Sequence, residues 1–169
     1  MKNNSFLNQR VGIFIDVQNL YHSAKNLYHG RVNYAELIKY LNNGRKLIRA
    51  IAYVVKSDSS TGEIQFFEAL EKAGLELKSK DLQIYPDGTK KADWDVGMAV
   101  DAILMSNNLD VVILVTGDGD FLPLVNYLKW NKGCFVEAAA FHKAASTKLQ
   151  EAVDKFINLE NIPKIILKK

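Results

Sequence analysis

Two apolar runs constrain this chain more than any other feature. Residues 11–15 (Val-Gly-Ile-Phe-Ile) and residues 111–115 (Val-Val-Ile-Leu-Val) carry no polar side chain, and each ends directly on polar residues. A β-branched run of this length suits a strand covered on both faces, which is the situation of a central strand in a parallel sheet flanked by helices. Further strands are expected over 47–55, 75–85 and 135–141, the third in chain order (75–85) nearer an edge because it alternates only in part.

Helical spacing fills the intervals. Residues 17–27 place Leu20, Ala24 and Leu27 on one side. Asn33 with Glu36 three residues on reads as a capping box opening a helix to Leu41. Residues 62–72 read as a helix closed by Gly74. The strongest helix is expected over 93–105, with Asp93 as its cap and Val96, Ala99, Val100, Ile103 and Leu104 as one buried stripe. Helices over 121–130 and 146–156 follow. Alternation of this kind specifies an α/β fold, a three-layer α/β/α arrangement with a mostly parallel central sheet of about five strands.

Composition narrows the setting. The chain has 169 residues, 48% hydrophobic and 24% charged, which excludes a disordered chain and suits one domain. Residues 1–10 read as a flexible lead-in, 11–160 as a single domain and 161–169 as a tail. The net charge of +3 is too mild to identify a nucleic-acid binder by itself. Cys134, alone, excludes an intramolecular disulfide and a Cys-rich zinc site. No apolar run approaches the ~20 residues needed to span a bilayer. The expectation is therefore a cytoplasmic protein with no membrane partner.

In open parallel sheets the ligand site lies beyond the carboxyl ends of the strands. The first apolar run ends in Asp16, with Asn19 three residues on. The second ends in Thr116, Asp118 and Asp120, carried by a turn in which Gly117 and Gly119 are expected to allow tight backbone conformations. Asp95, in the first turn of the strong helix, is placed at the margin of its buried face. Carboxylates converging at one strand end repel one another, so their pKa values rise or a cation occupies the middle. Hard oxygen ligands suit Mg²⁺ or Mn²⁺, and such ions commonly serve phosphodiester hydrolysis. Neither a P-loop nor a dinucleotide-binding glycine pattern is present. His22, His29 and His142 show no metal-ligand spacing.

Three segments together carry a resemblance. They are Ile13 to Asn19, Lys91 to Val96 with Asp101 beyond, and Val115 to Phe121. In this order they resemble the NYN domain of the LabA-like family, within the PIN-like nuclease superfamily. The resemblance implies an acidic Mg²⁺/Mn²⁺ pocket formed by Asp16, Asp95, Asp118 and Asp120. It also matches Asn19 to a pocket asparagine, Thr116 to a small hydroxyl before the acidic turn, Ser146 to a serine opening the last helix, and Lys91 to a lysine before the helix aspartate. Lys91 stands one residue further from Asp95 than the family pattern has it, which leaves Asp93 open to part of that role.

The expected function is metal-dependent hydrolysis of RNA, with single-stranded RNA as partner and Lys91, Thr116 and Ser146 facing substrate. A non-catalytic RNA-binding module keeping the acidic pocket is the alternative, and a small-molecule phosphatase is a weaker one. Lys72, Lys78, Lys80, Lys90 and Lys91 form either a phosphate-attracting stretch or a solvated face. The apolar tail, 162–167, is left to pack on a second copy as a homodimer or to fold back on its own sheet.

Overall fold

Residues 4–57, 61–91 and 93–168 are described in the computed structural model. Along the chain run α1 (Asn4–Leu7), β1 (Arg10–Asp16), α2 (Val17–Tyr28), β2 (Arg31–Val32), α3 (Tyr34–Asn42), β3 (Lys46–Lys56), α4 (Thr61–Lys72) and β4 (Glu76–Asp81). Then come β5 (Gln83–Ile84), β6 (Lys90–Lys91), α5 (Asp95–Met105), β7 (Val111–Val115), α6 (Leu122–Trp130), β8 (Phe135–Ala140), α7 (Thr147–Ala152), β9 (Lys155–Asn158) and β10 (Ile166–Leu167).

The central sheet has six strands in the order β4-β3-β1-β7-β8-β9. Every neighbouring pair is parallel. The two apolar runs are its middle, β1 and β7, paired from Val11↔Val111 to Ile15↔Val115. The strand order reverses between them: the chain leaves β1 toward β3 and β4, then returns to β7 and moves on to β8 and β9. Asp16 and Thr116 therefore end adjacent strands at the reversal, where helices diverge to opposite faces and a crevice opens.

Side-chain alternation builds the layers. Val11, Ile13 and Ile15 of β1 point into one core with Leu20 and Ala24 of α2 and Leu37 of α3. Phe14 points into the other, with Met98 of α5, Val125 of α6 and Leu149 of α7. Buried polar groups are few, and the paired ones are well matched. Arg45 lies 2.8 Å from Glu137, both nearly fully buried, and it also donates to the Leu41 carbonyl. The Asn33 side chain accepts from the Glu36 N–H and caps α3, as the sequence suggests.

Several expectations are corrected. The stripe Val96, Val100 and Leu104 faces outward, at 76%, 48% and 65% exposure. The inward line of α5 is Met98 and Ala102. Both lines are apolar, so periodicity alone could not choose between them. Asp93 does not cap α5; Trp94 stands at that position and makes no side-chain cap bond. The helix expected over 146–156 stops at Ala152, and its last two positions belong to the edge strand β9, Lys155–Asn158. The lead-in is partly ordered, with α1 over Asn4–Leu7 and Arg10 already in β1. The strand expected over 75–85 ends at Asp81, and Gln83–Ile84 pairs instead with Lys90–Lys91 in a small hairpin. The tail folds back: Ile162 and Ile165 are buried, and β10 pairs antiparallel with β2.

Candidate functional site

Asp16 is both the last residue of β1 and the N-cap of α2. Its Oδ1 accepts from the Asn19 N–H at 3.1 Å, and its Oδ2 from the Thr116 hydroxyl at 3.2 Å. Thr116, fully buried at the end of β7, also accepts from the Asp118 N–H at 3.2 Å. A hydroxyl can donate once and accept at the same time, so this one group ties the acids of two strands together. Asn19 makes a second tie, its Oδ1 accepting from the Gly117 N–H at 3.1 Å. Asp118 in turn accepts from the Asp120 N–H at 2.9 Å, closing a one-turn helix over Gly119–Phe121.

Neither Gly117 nor Gly119 has a positive φ, contrary to the sequence expectation. They are small because the loop before α7 crosses them. A Cβ on Gly117 would stand 2.5 Å from the Ala144 carbonyl oxygen, and one on Gly119 would stand 2.9 Å from Ser146 Oγ. The Ser146 N–H donates to the Gly117 carbonyl at 2.9 Å, which fixes that crossing. Ser146 thus sits against the acidic turn, at the start of α7.

Asp95 arrives from a third element. It stands three and seven residues before Met98 and Ala102, so it continues the inward line of α5 to the sheet's carboxyl end. Two anchors hold that end of the helix. The Trp94 indole N–H donates to the Val54 carbonyl at 2.9 Å. Asp101 accepts from the Tyr53 hydroxyl and from Lys78, each at 2.7 Å.

Electrostatics show the acids sharing one region. The Asp95 carboxyl is pushed up to about 6, first by burial and then by the charges of Asp16, Asp118, Asp93 and Asp120. Asp16 is also raised, chiefly by burial, against the bonds from Asn19 and Thr116 that favour its charged form. Lys91 Nζ lies 4.0 Å from Asp93, at the rim of the cluster. Lys78 is taken up by Asp101, and Lys80 lies over the Trp94 ring.

The donors are hard carboxylate oxygens carrying excess negative charge, the chemistry that suits Mg²⁺ or Mn²⁺. Among the described residues no three His, Cys, Asp or Glu groups close around a single point. Mg²⁺ usually keeps several waters and takes one or two protein carboxylates, so such an ion would not require three of these groups to meet. Asp16, Asp95, Asp118 and Asp120 are the residues that would hold it.

A model of the NYN domain matches residues 10–160. The chain belongs to the NYN domain family. This NYN domain is thereby a member of the PIN-like nuclease superfamily. It is 24% identical over 173 aligned positions to the low amplitude and bright protein LabA of Synechococcus elongatus, covering 97% of this chain and 91% of LabA. A crystal structure of a protein of unknown function from Vibrio parahaemolyticus matches the fold of this NYN domain with a TM-score of 0.88. Those two are 28% identical, with 99% of this chain and 100% of that one covered. No helix among the described residues is long and apolar enough to cross a membrane.

The structure brings together Asp16, Asn19, Asp95, Thr116, Asp118, Asp120 and Ser146, and it places Lys91 at their edge. Sequence reasoning missed Tyr53 and Val54, which anchor the helix bearing Asp95. Nothing in one dimension marks a strand tyrosine as the partner of an aspartate 48 residues on.

Proposed function

We propose that this protein is a divalent-metal-dependent ribonuclease acting at the acidic cluster. What carries the reading is the meeting of carboxylates from β1 (Asp16), α5 (Asp95) and the turn after β7 (Asp118, Asp120), tied through Thr116 and near enough for the others to raise Asp95. Folding that much like charge together is unfavourable unless a cation repays it. A bound Mg²⁺ or Mn²⁺ would acidify a water nucleophile and stabilise charge on phosphate oxygens.

The chain's own residues do the rest. The Asp16 carboxylate is held by the Asn19 N–H and the Thr116 hydroxyl, and that of Asp118 by the Asp120 N–H, so these acids are oriented before substrate arrives. Ser146, against Gly119, and Lys91, beside Asp93, would contact the phosphate or ribose of an RNA strand. One observation favours the non-catalytic alternative: no three potential ligands close on one point among the described residues. That module would bind RNA without turnover.

Cleavage of a labelled single-stranded RNA with Mn²⁺, Mg²⁺ or EDTA separates the two. The nuclease reading predicts products that require metal, and a loss of rate of roughly a hundredfold or more in Asp118→Asn with an unchanged circular-dichroism spectrum. Equal cleavage by the variant contradicts the mechanism. RNA retention without products from wild type in any metal selects the binding module.

A further inference from the structure

Beside the acidic cluster, a groove runs between α2 and α4. Its first section is a cavity of about 330 Å³ lined by Gln18, Tyr21 and His22 of α2 and by Phe66 and Phe67 of α4. Its second section, about 650 Å³, is lined by Tyr21 and Lys25 of α2, Phe66 and Ala69 of α4, and His29 and Arg31 beyond the helix. Tyr21 and Phe66 belong to both sections, with ring centroids 6.5 Å apart, so the two sections form one groove.

The groove begins two residues after Asp16 and follows α2. Residues 18, 21, 22 and 25 lie on one face of that helix, and His29, its C-cap, follows. From Asp16 to His29 the path is about 20 Å at 1.5 Å per residue. Its character changes along the way, from aromatic near the acids to cationic at the far end. Tyr21 is 43% exposed, and Lys25 Nζ lies over its ring at 5.8 Å from the centroid, so ring and cation stand together in the groove. Lys25 and Arg31 are exposed and make no ion pair among the described residues. Among the described residues the one carboxylate lining it, Glu63, accepts from the Ser57 N–H at 2.9 Å.

The geometry points to a track for single-stranded RNA, with bases stacked at Tyr21 and Phe66 and phosphates drawn by Lys25, His29 and Arg31. This assignment rests on the ribonuclease reading for the identity of the ligand. Stacking platforms interleaved with cations are what a single strand requires, and a duplex hides the base faces such platforms need. The track fixes which way a strand leaves the acidic centre. It also makes affinity depend on two separable contributions, one sensitive to salt and one not.

Fluorescence anisotropy with a short labelled oligoadenylate in EDTA measures binding without cleavage. Lys25→Glu/Arg31→Glu should weaken binding roughly tenfold or more and flatten the slope of log affinity against log salt by about 1.4, or 0.7 for each lost contact. Tyr21→Ala should weaken it roughly tenfold with the salt slope unchanged. Lys39→Glu/Lys155→Glu, exposed cations elsewhere with the same charge change, should leave affinity within about twofold. Thermal melts confirm that each variant is folded.

Equal loss in the control pair, no loss in Tyr21→Ala, or equal affinity for a duplex of the same length overturns the track. So does a wild type that does not bind the oligomer. Its failure is distinguishable from failure of the nuclease reading. Groove variants that bind and cleave like wild type leave the nuclease standing, whereas groove-dependent binding by a wild type that never cleaves leaves the track standing.

Discussion

Asp95 is the residue on which the electrostatics of this protein turn. Its carboxyl rises from 3.8 to about 6 because burial and neighbouring carboxylates disfavour its charge. The folded state then holds the proton more tightly than the unfolded chain does, so stability falls as pH rises through the interval between those two values. Removing the charge removes the penalty. In EDTA, Asp95→Asn should melt higher than wild type at pH 7.5, and the difference should shrink by about two-thirds at pH 4.5; a constant difference across that range contradicts the coupling. Asp16, Asp118 and Asp120 were legible in the sequence because each follows an uninterrupted apolar strand. The reason for Gly117 and Gly119 was not. It lies in the crossing of a loop that approaches from beyond β8, which no local pattern encodes.

At the scale of elements, α5 decides how Asp95 is presented. The helix is apolar on two sides, with Met98 and Ala102 inward and Val96, Val100 and Leu104 outward. A periodicity count weighs both lines equally, and only the sheet beneath settles the choice. The substitutions that test this are Met98→Ala, expected to cost about 2–5 kcal/mol, and Val100→Lys, expected to stay within about 0.5 kcal/mol. Urea melts of both variants measure the two costs, and the reverse ranking contradicts the orientation of α5. β9 escaped the sequence reading for a related reason. It is a four-residue edge strand directly after a short helix, and its alternation is too brief to stand out from the helical spacing before it.

For the whole molecule, the parallel sheet and its two covering layers were readable from the order of runs alone, because two fully apolar strands have few other places to go. The register between β1 and β7 was not, yet that register sets Asp16 beside Thr116. Carboxylates from β1, α5 and the turn after β7 are proposed to form a single divalent-ion site. Mn²⁺ binding by calorimetry, on wild type and on Asp16→Asn, Asp95→Asn, Asp118→Asn and Asp120→Asn, measures it directly. The account predicts binding by wild type, and a loss of roughly tenfold or more in each variant, comparable to the loss of a supporting ligand contact. Failure of the wild type to bind, or variants from two of the three elements that bind like wild type, would contradict it.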